Sequence, residues 1–205
     1  MDFTLRSYLS NPYGKGSTIV PNLQGIKEGY MAKLSKISEQ IIIRWFNLKN
    51  KSLICYLGIP SESVSGVHYD VVFEFDLSSN EKATTILDLQ TQVFSNSPSF
   101  SYTYAYAFMK ADLVPKWLHD KYTKEVRKTS AAVKNSNQII GLEKTIYMAA
   151  LYLTMNGRAD LATVSNTAEK ITSTSAVKKL VMKQNEVETK YRNTKKLLQE
   201  QKKKE

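Results

Sequence analysis

Residues 99–108 read Ser-Phe-Ser-Tyr-Thr-Tyr-Ala-Tyr-Ala-Phe, an aromatic ring at every even position and a small residue at every odd one. A side-chain period of two is that of a β-strand. A row of rings backed by small residues lets a helix or second sheet approach closely on the small side. The spacing predicts a strand over Ser99–Phe108 and a sheet to receive it. Upstream segments fit such a sheet. The β-branched and aromatic runs Ile41–Phe46 and Ser52–Leu57 flank Asn47-Leu48-Lys49-Asn50-Lys51, which predicts a hairpin. From Val67 to Asp76, Val67, Tyr69, Val71, Phe73 and Phe75 fall on one face. His68, Asp70, Glu74 and Asp76 fall on the other, with Val72 the exception. Thr84–Phe94 supplies one more strand, or two broken near Asp88.

Helical spacing appears on either side of this region. Ile26, Tyr30, Leu34 and Ile37 predict a helix within Gly25–Gln40. Pro115 suits the first turn of a helix through Trp117, Leu118 and Tyr122, followed by a polar stretch from Lys124 to Asn137. Gln138–Met155 is apolar on most sides and ends at Asn156-Gly157, as expected of a buried helix packed on the sheet. The first residues hold the breakers Asn11-Pro12-Tyr13-Gly14-Lys15-Gly16 and Pro21-Asn22, which read as an extended arm. The fold class expected is α+β: a mostly antiparallel sheet packed by a buried helix. An extended N-terminal arm (1–24), a core domain (25–165) and a basic C-terminal helical extension (166–205) make up the chain.

In the extension, Val177, Leu180, Gln184, Val187, Tyr191, Thr194 and Leu198 recur at alternating steps of three and four, the spacing of a coiled-coil seam. Glu186–Lys190 and Glu188–Arg192 stand four apart with the acid first, the favourable order on a helix. About 30 helical residues would reach roughly 45 Å. A stripe so narrow and polar needs a packing partner. Val177, Leu180, Val187, Tyr191 and Leu198 are therefore the candidate interface.

The formal net charge of +10 is localised: residues 167–205 hold eleven Lys/Arg against five Asp/Glu, and 109–135 seven against three. The remainder is neutral. This pattern describes two partner-facing segments. Lys121, Lys124, Arg127, Lys128 and Lys134 are the candidates to meet phosphate or an acidic partner. With 42% hydrophobic residues the chain can bury a core. A single cysteine, Cys55, excludes an internal disulfide and fits a reducing compartment. Met1-Asp2-Phe3-Thr4-Leu5-Arg6 lacks the apolar run of a secretory signal. Glu143 and Lys144 interrupt the longest apolar stretch, Ile139–Leu153, so no membrane association is expected.

Enzymatic patterns fail on inspection. Gly14-Lys15-Gly16-Ser17-Thr18 lacks the upstream glycine of a phosphate loop and a Ser or Thr directly after its lysine, and reads as an ordinary glycine turn. Asp70, Glu74 and Asp76 share a strand face that could hold a divalent metal. With no lysine or further acid placed beside them, a solvated strand face is the preferred reading. His68 and His119 have no second ligand at helical spacing. Ser175-Ala176-Val177-Lys178 matches a serine–lysine pattern without its companion motifs. Cys55 reads as a buried small hydrophobe. The rings of Phe100–Phe108 could stack on bases, but their alternation favours a sheet core. No enzyme and no cofactor are expected.

Val93-Phe94-Ser95-Asn96-Ser97-Pro98-Ser99-Phe100, the tyrosine ladder after it, and Leu142-Glu143-Lys144-Thr145-Ile146-Tyr147-Met148-Ala149-Ala150 resemble virion structural proteins of tailed bacteriophages, over about residues 67–157. The resemblance implies a small mixed α/β domain with arms and long helices that lace subunits into symmetric rings, as in necks, head–tail connectors and tails. It implies assembly in a host cytoplasm, with copies of itself and other virion proteins as partners. The alternative is a nucleic-acid-binding protein using the basic 109–135 segment and the C-terminal helix.

Overall fold

β2 (Ser52–Pro60) buries every residue except its last. A strand covered on both faces needs such a nearly continuous apolar run. In the computed structural model, which describes residues 3–12, 22–62, 66–119, 135 and 138–179, β2 is the middle of a five-stranded mixed sheet. The order is β4 (Thr91–Ser95), β3 (His68–Asp76), β2, β1 (Ile42–Leu48), β5 (Glu169–Ile171). All pairings are antiparallel except β1 with β5, which is parallel. The β1–β2 hairpin turns at Lys49 and Asn50, whose φ angles of 52° and 56° put both in the left-handed region, so that the turn matches the right-handed twist of the flanking strands. Asn50 N–H donates to Asn47 Oδ1 at 2.9 Å, closing the turn.

The register aligns Val93, Phe73, Cys55 and Trp45 across one face, and Phe94, Val72, Tyr56 and Arg44 across the other. α4 (Lys144–Leu153), buried at every residue after Lys144, packs on β2, β3 and β4. Its Thr145 and Met148 line a cleft with Ile59 and Tyr69, which places it on the Cys55–Phe73 face. Its outer side is covered by α1 (Leu5–Ser10) and α2 (Leu23–Ile37). α4 starts only at Lys144, so residues 138–143 of the predicted helix approach it without regular structure, and Asn156-Gly157 ends the segment with φ of 54° and 71°. A one-turn 3-10 segment, Ser38–Gln40, joins α2 to β1.

Two expectations are overturned. The first is the strand at Ser99–Phe108, which is a wide π turn, Phe100–Tyr104, running into α3 (Ala105–Lys110). Ser97 Oγ accepts from Phe100 N–H at 3.1 Å, and Pro98 occupies the first helical position, so Ser97-Pro98 is a helix start. Phe100, Ala105 and Phe108 are buried and Tyr106 is 38% exposed. Phe100 and Phe108 thus share one helical face, widened by the π turn, whereas a strand would have buried all five rings alike. The second is the extended arm. Residues 3–12 carry α1, capped by reciprocal Thr4–Ser7 hydrogen bonds, with Phe3, Leu5 and Tyr8 buried in the core. Residues 13–21 lie outside the described ones, and α2 already begins at Leu23.

Downstream, Thr84–Phe94 contributes a bridge from Thr85 to Asp160, a 3-10 turn at Ile86–Asp88, and β4. Past residue 165, α5 (Leu161–Thr167) leads into β5, so the fold includes the first residues assigned to the extension. Among the described residues, no helix is long and apolar enough to cross a membrane.

A buried Phe108 and a half-exposed Tyr106 make a direct test of the helix. Phe108→Ala should cost about 3–5 kcal/mol, and Tyr106→Ala at most about 1 kcal/mol, in urea denaturation. Equal losses would restore the strand reading.

Candidate functional site

Glu143 is fully buried and caps α4, its carboxylate accepting from Ile146 N–H at 2.8 Å. The other oxygen accepts from Ser97 Oγ at 3.0 Å. Ser97 in turn caps the helix that leads to α3, so one hydrogen bond couples two helix N-termini. Tyr8 of α1 closes the same point, its hydroxyl accepting from Glu143 N–H at 3.1 Å. Burial pushes the Glu143 carboxyl above the ordinary glutamate range, and the Ile146 and Ser97 donors oppose that rise. Beside this junction lies a cleft of ≈ 310 Å³ lined by Ile59, Tyr69, Ser99, Lys144 and Met148 among others. Glu62 stands at its rim, paired with Lys144 and, at 3.1 Å, with Lys33. The Lys144 hydrogen bond, then Lys33, holds Glu62 below the usual carboxylate range against its partial desolvation.

A larger cleft of ≈ 600 Å³ opens on the opposite sheet face, between Leu48, Ser52 and Glu74 and the segment Ala111–Lys116. Glu74 is gripped from both sides: Ser52 Oγ donates to Oε1 at 2.9 Å and Trp117 Nε1 to Oε2 at 2.7 Å. Lys51, Asp76, Asp112 and Lys116 surround it, a mixed rim with no single sign of charge.

The acids proposed as a metal face are thus separated by role. Asp70 is fully buried, not solvated as its strand position suggested. Tyr56 Oη donates to its Oδ1 at 2.7 Å and Asn96 Nδ2 to its Oδ2 at 2.9 Å. Burial and the Asp70 charge push the Tyr56 hydroxyl far above the ordinary tyrosine range. Asp76 turns back to cap its own loop through Ser78. Among the described residues no group of three or more His, Cys, Asp or Glu could hold a metal. His68 Nε2 meets Gln40 O at 3.1 Å and His119 Nε2 meets Val114 O at 2.9 Å. Cys55 is buried in β2, and burial raises its thiol well above the ordinary range. Ser175 Oγ hydrogen-bonds Ser173 Oγ at 2.8 Å.

The chain matches no known protein family, curated protein or solved structure.

Of the five candidate interface residues, Val177 is buried within its own chain's core, at 0% exposure, on a helical turn at 175–179. Leu180, Val187, Tyr191 and Leu198 lie outside the described residues, as do Lys121, Lys124, Arg127, Lys128, Lys134 and the Gly14–Thr18 turn. Sequence reasoning missed the couplings of Ser97 to Glu143, Tyr56 to Asp70 and Trp117 to Glu74. Only the first left a signal: a Ser-Pro helix start, and an acid in an otherwise apolar run.

The pH response of Glu143 follows from its raised value. Between the ordinary glutamate range and that value, the folded chain holds a proton that the unfolded chain has released. Stability from this group is therefore full at lower pH and is lost as pH rises through the raised value. Asp88, held low mainly by its hydrogen bond from Arg6, acts in the opposite sense at lower pH, as does Glu62. The difference between wild type and Glu143→Gln cancels both. Urea titrations across acid to neutral pH should show the stability of wild type, relative to Glu143→Gln, falling as pH rises; a flat difference would refute the assignment. Glu143→Ala, which strips Ser97 and Ile146 of their acceptor, should cost about 1–3 kcal/mol.

Proposed function

We propose that this chain is a non-enzymatic assembly protein of a tailed-phage virion, of the neck or head–tail connector type. The observation that carries the reading is the position of Val177. The first residue of the seam is buried in the chain's own core, so a helix continuing along the heptad-spaced stripe would be rooted on the globule. Leu180, Val187, Tyr191 and Leu198 follow it, and in this reading they form the exposed side of a helix that a neighbouring copy completes. Symmetry would repeat that contact around a ring.

The handling of buried and half-buried acids supports the same reading. Asp70, Glu74 and Glu143 each accept hydrogen bonds that join separate segments of the fold. Carboxylates occupied in this way serve shape.

The test is association of the full-length chain. It should form oligomers, or co-purify with a large particle, and persist so at high salt. Val187→Lys with Leu198→Lys should break those larger assemblies into smaller species that remain folded. A wild-type monomer without a protein partner would sink the proposal. The clustering of eleven Lys/Arg in 167–205 and seven in 109–135 favours one second reading, binding to a nucleic-acid backbone. That reading expects binding to DNA or RNA whose affinity falls steeply as salt rises, and which weakens on replacing Lys124, Arg127 and Lys128.

A further inference from the structure

The two edges of the sheet are treated differently. Beyond β4 the edge is sealed by the chain itself: Thr91 N–H donates to Phe3 O at 2.8 Å and Val93 N–H to Leu113 O at 2.7 Å. Beyond β1 it is sealed only in part. β5 pairs with Phe46, Asn47 and Leu48 and goes no further. Continuing that register would set Ala168 beside Trp45 and Thr167 beside Arg44, but Thr167 is the last residue of α5 and Ala168 its cap. Among the described residues, no strand lies beyond Ile42, Ile43, Arg44 and Trp45. Ile42 is 47% exposed, the most exposed large hydrophobic side chain described.

An open strand edge is a template for another strand, and folded proteins blunt such edges with proline, lysine or a bulge. None of these stands in Ile42–Trp45. Its one charge, Arg44, is drawn to Glu169 at 3.2 Å and lies over the Phe46 ring. We propose that this edge pairs with the same edge of a second copy, antiparallel, about a two-fold axis at Ile43, continuing the sheet through both chains. The sealed β4 edge leaves no strand position for head-to-tail pairing, so the complement of an open β1 edge is another open β1 edge.

The register is then restricted. Residues opposite one another must share a face, so the axis passes through a residue. An axis at Arg44 would oppose two guanidinium groups and would need the edge at Phe46, where Glu169 already sits. An axis at Ile42 would draw the 3-10 turn Ser38–Gln40 into the ladder. An axis at Ile43 opposes Ile43 to itself, Ile42 to Arg44 and Ile41 to Trp45. It sets the aliphatic stem of Arg44 along Ile42 and brings no like charges together.

This inference stands apart from the ring reading, because it does not use the seam. Directly opposite residues of an antiparallel pair have Cα atoms about 4.5–5.5 Å apart, within the span of a disulfide. Oxidation of full-length Ile43→Cys should therefore give a covalent dimer. Tyr106→Cys, at an exposed site away from the edge, should not, and buried Cys55 offers no competing thiol. Ile42→Lys would set lysine against Arg44 twice over and should shift sedimentation from dimer toward monomer while the far-UV circular dichroism of the folded chain stays unchanged. The cross-link should persist in Val187→Lys/Leu198→Lys, whatever becomes of larger assemblies. Cross-linking of Ile43→Cys no better than Tyr106→Cys, or a dimer indifferent to Ile42→Lys, would overturn the proposal.

Discussion

A carboxylate withdrawn from water must find donors or be neutralised, and Glu143 finds its donors in two different parts of the chain. Ile146 N–H belongs to the first turn of α4, and the Ser97 hydroxyl belongs to the start of the helical segment that leaves β4. Helix N-termini carry unsatisfied N–H groups and the positive end of the helix dipole. One acid capping one helix directly, and orienting the serine that caps another, satisfies both and fixes the angle between them. The chain enters α4 and α3 through this contact, and α4 is the helix on which the sheet and the N-terminal helices both pack. Loss of the carboxylate would therefore leave two buried donors, the Ile146 N–H and the Ser97 hydroxyl, short of an acceptor, a larger penalty than an ordinary surface cap would carry.

Around that junction runs a continuous path of aromatic rings. Phe94, Phe100, Phe108, Phe3, Tyr8, Tyr147 and Tyr30 meet in sequence, with centroids 5.4–6.0 Å apart. The path starts on β4, crosses α3 and the N-terminal segment, and ends on α2 by way of α4. Tilted and edge-on pairs at these distances add modestly to area burial. Their larger consequence is topological: Phe3 and Tyr8 are middle links, so the first residues close the core. Phe3 also lends its carbonyl to the outer edge of β4. A segment that supplies both core rings and an edge hydrogen bond is part of the domain.

These couplings explain where the sequence was legible. The β1–β2 hairpin, β3 and the buried α4 could be read because each element carries its own period or its own turn chemistry. β3 alternates over most of its length since one face is closed by α4, and Val72 breaks the pattern because the second face is covered there too. The ladder at Ser99–Phe108 misled because tyrosine counts as apolar in a binary pattern although its hydroxyl seeks water or a donor. Counting only the phenylalanines leaves positions 100 and 108, a helical interval once the π turn widens it. The Ser97-Pro98 start was the stronger signal. Of the candidate site, the presence of buried acids left a trace in single residues such as Glu143, but the partners did not: Ser97 is 46 residues from Glu143, and Trp117 is 43 from Glu74. No local pattern encodes a contact of that separation.

The same asymmetry separates what the fold completes from what it leaves to others. Polar groups inside the domain are matched across long sequence separations, and the β4 edge is closed by two backbone donors reaching foreign carbonyls. Against that standard, the four residues Ile42–Trp45 differ in kind. Among the described residues they are paired on one side only, their Ile42 is half-exposed, and the covering strand stops where α5 ends. Lengthening β5 by two residues would have meant unwinding the end of α5 and breaking the hydrogen bond from Ala168 N–H to Val164 O. The interior therefore limits how far its own edge can be sealed. An apolar strand edge that no described strand covers is the place where a second chain would gain most by pairing.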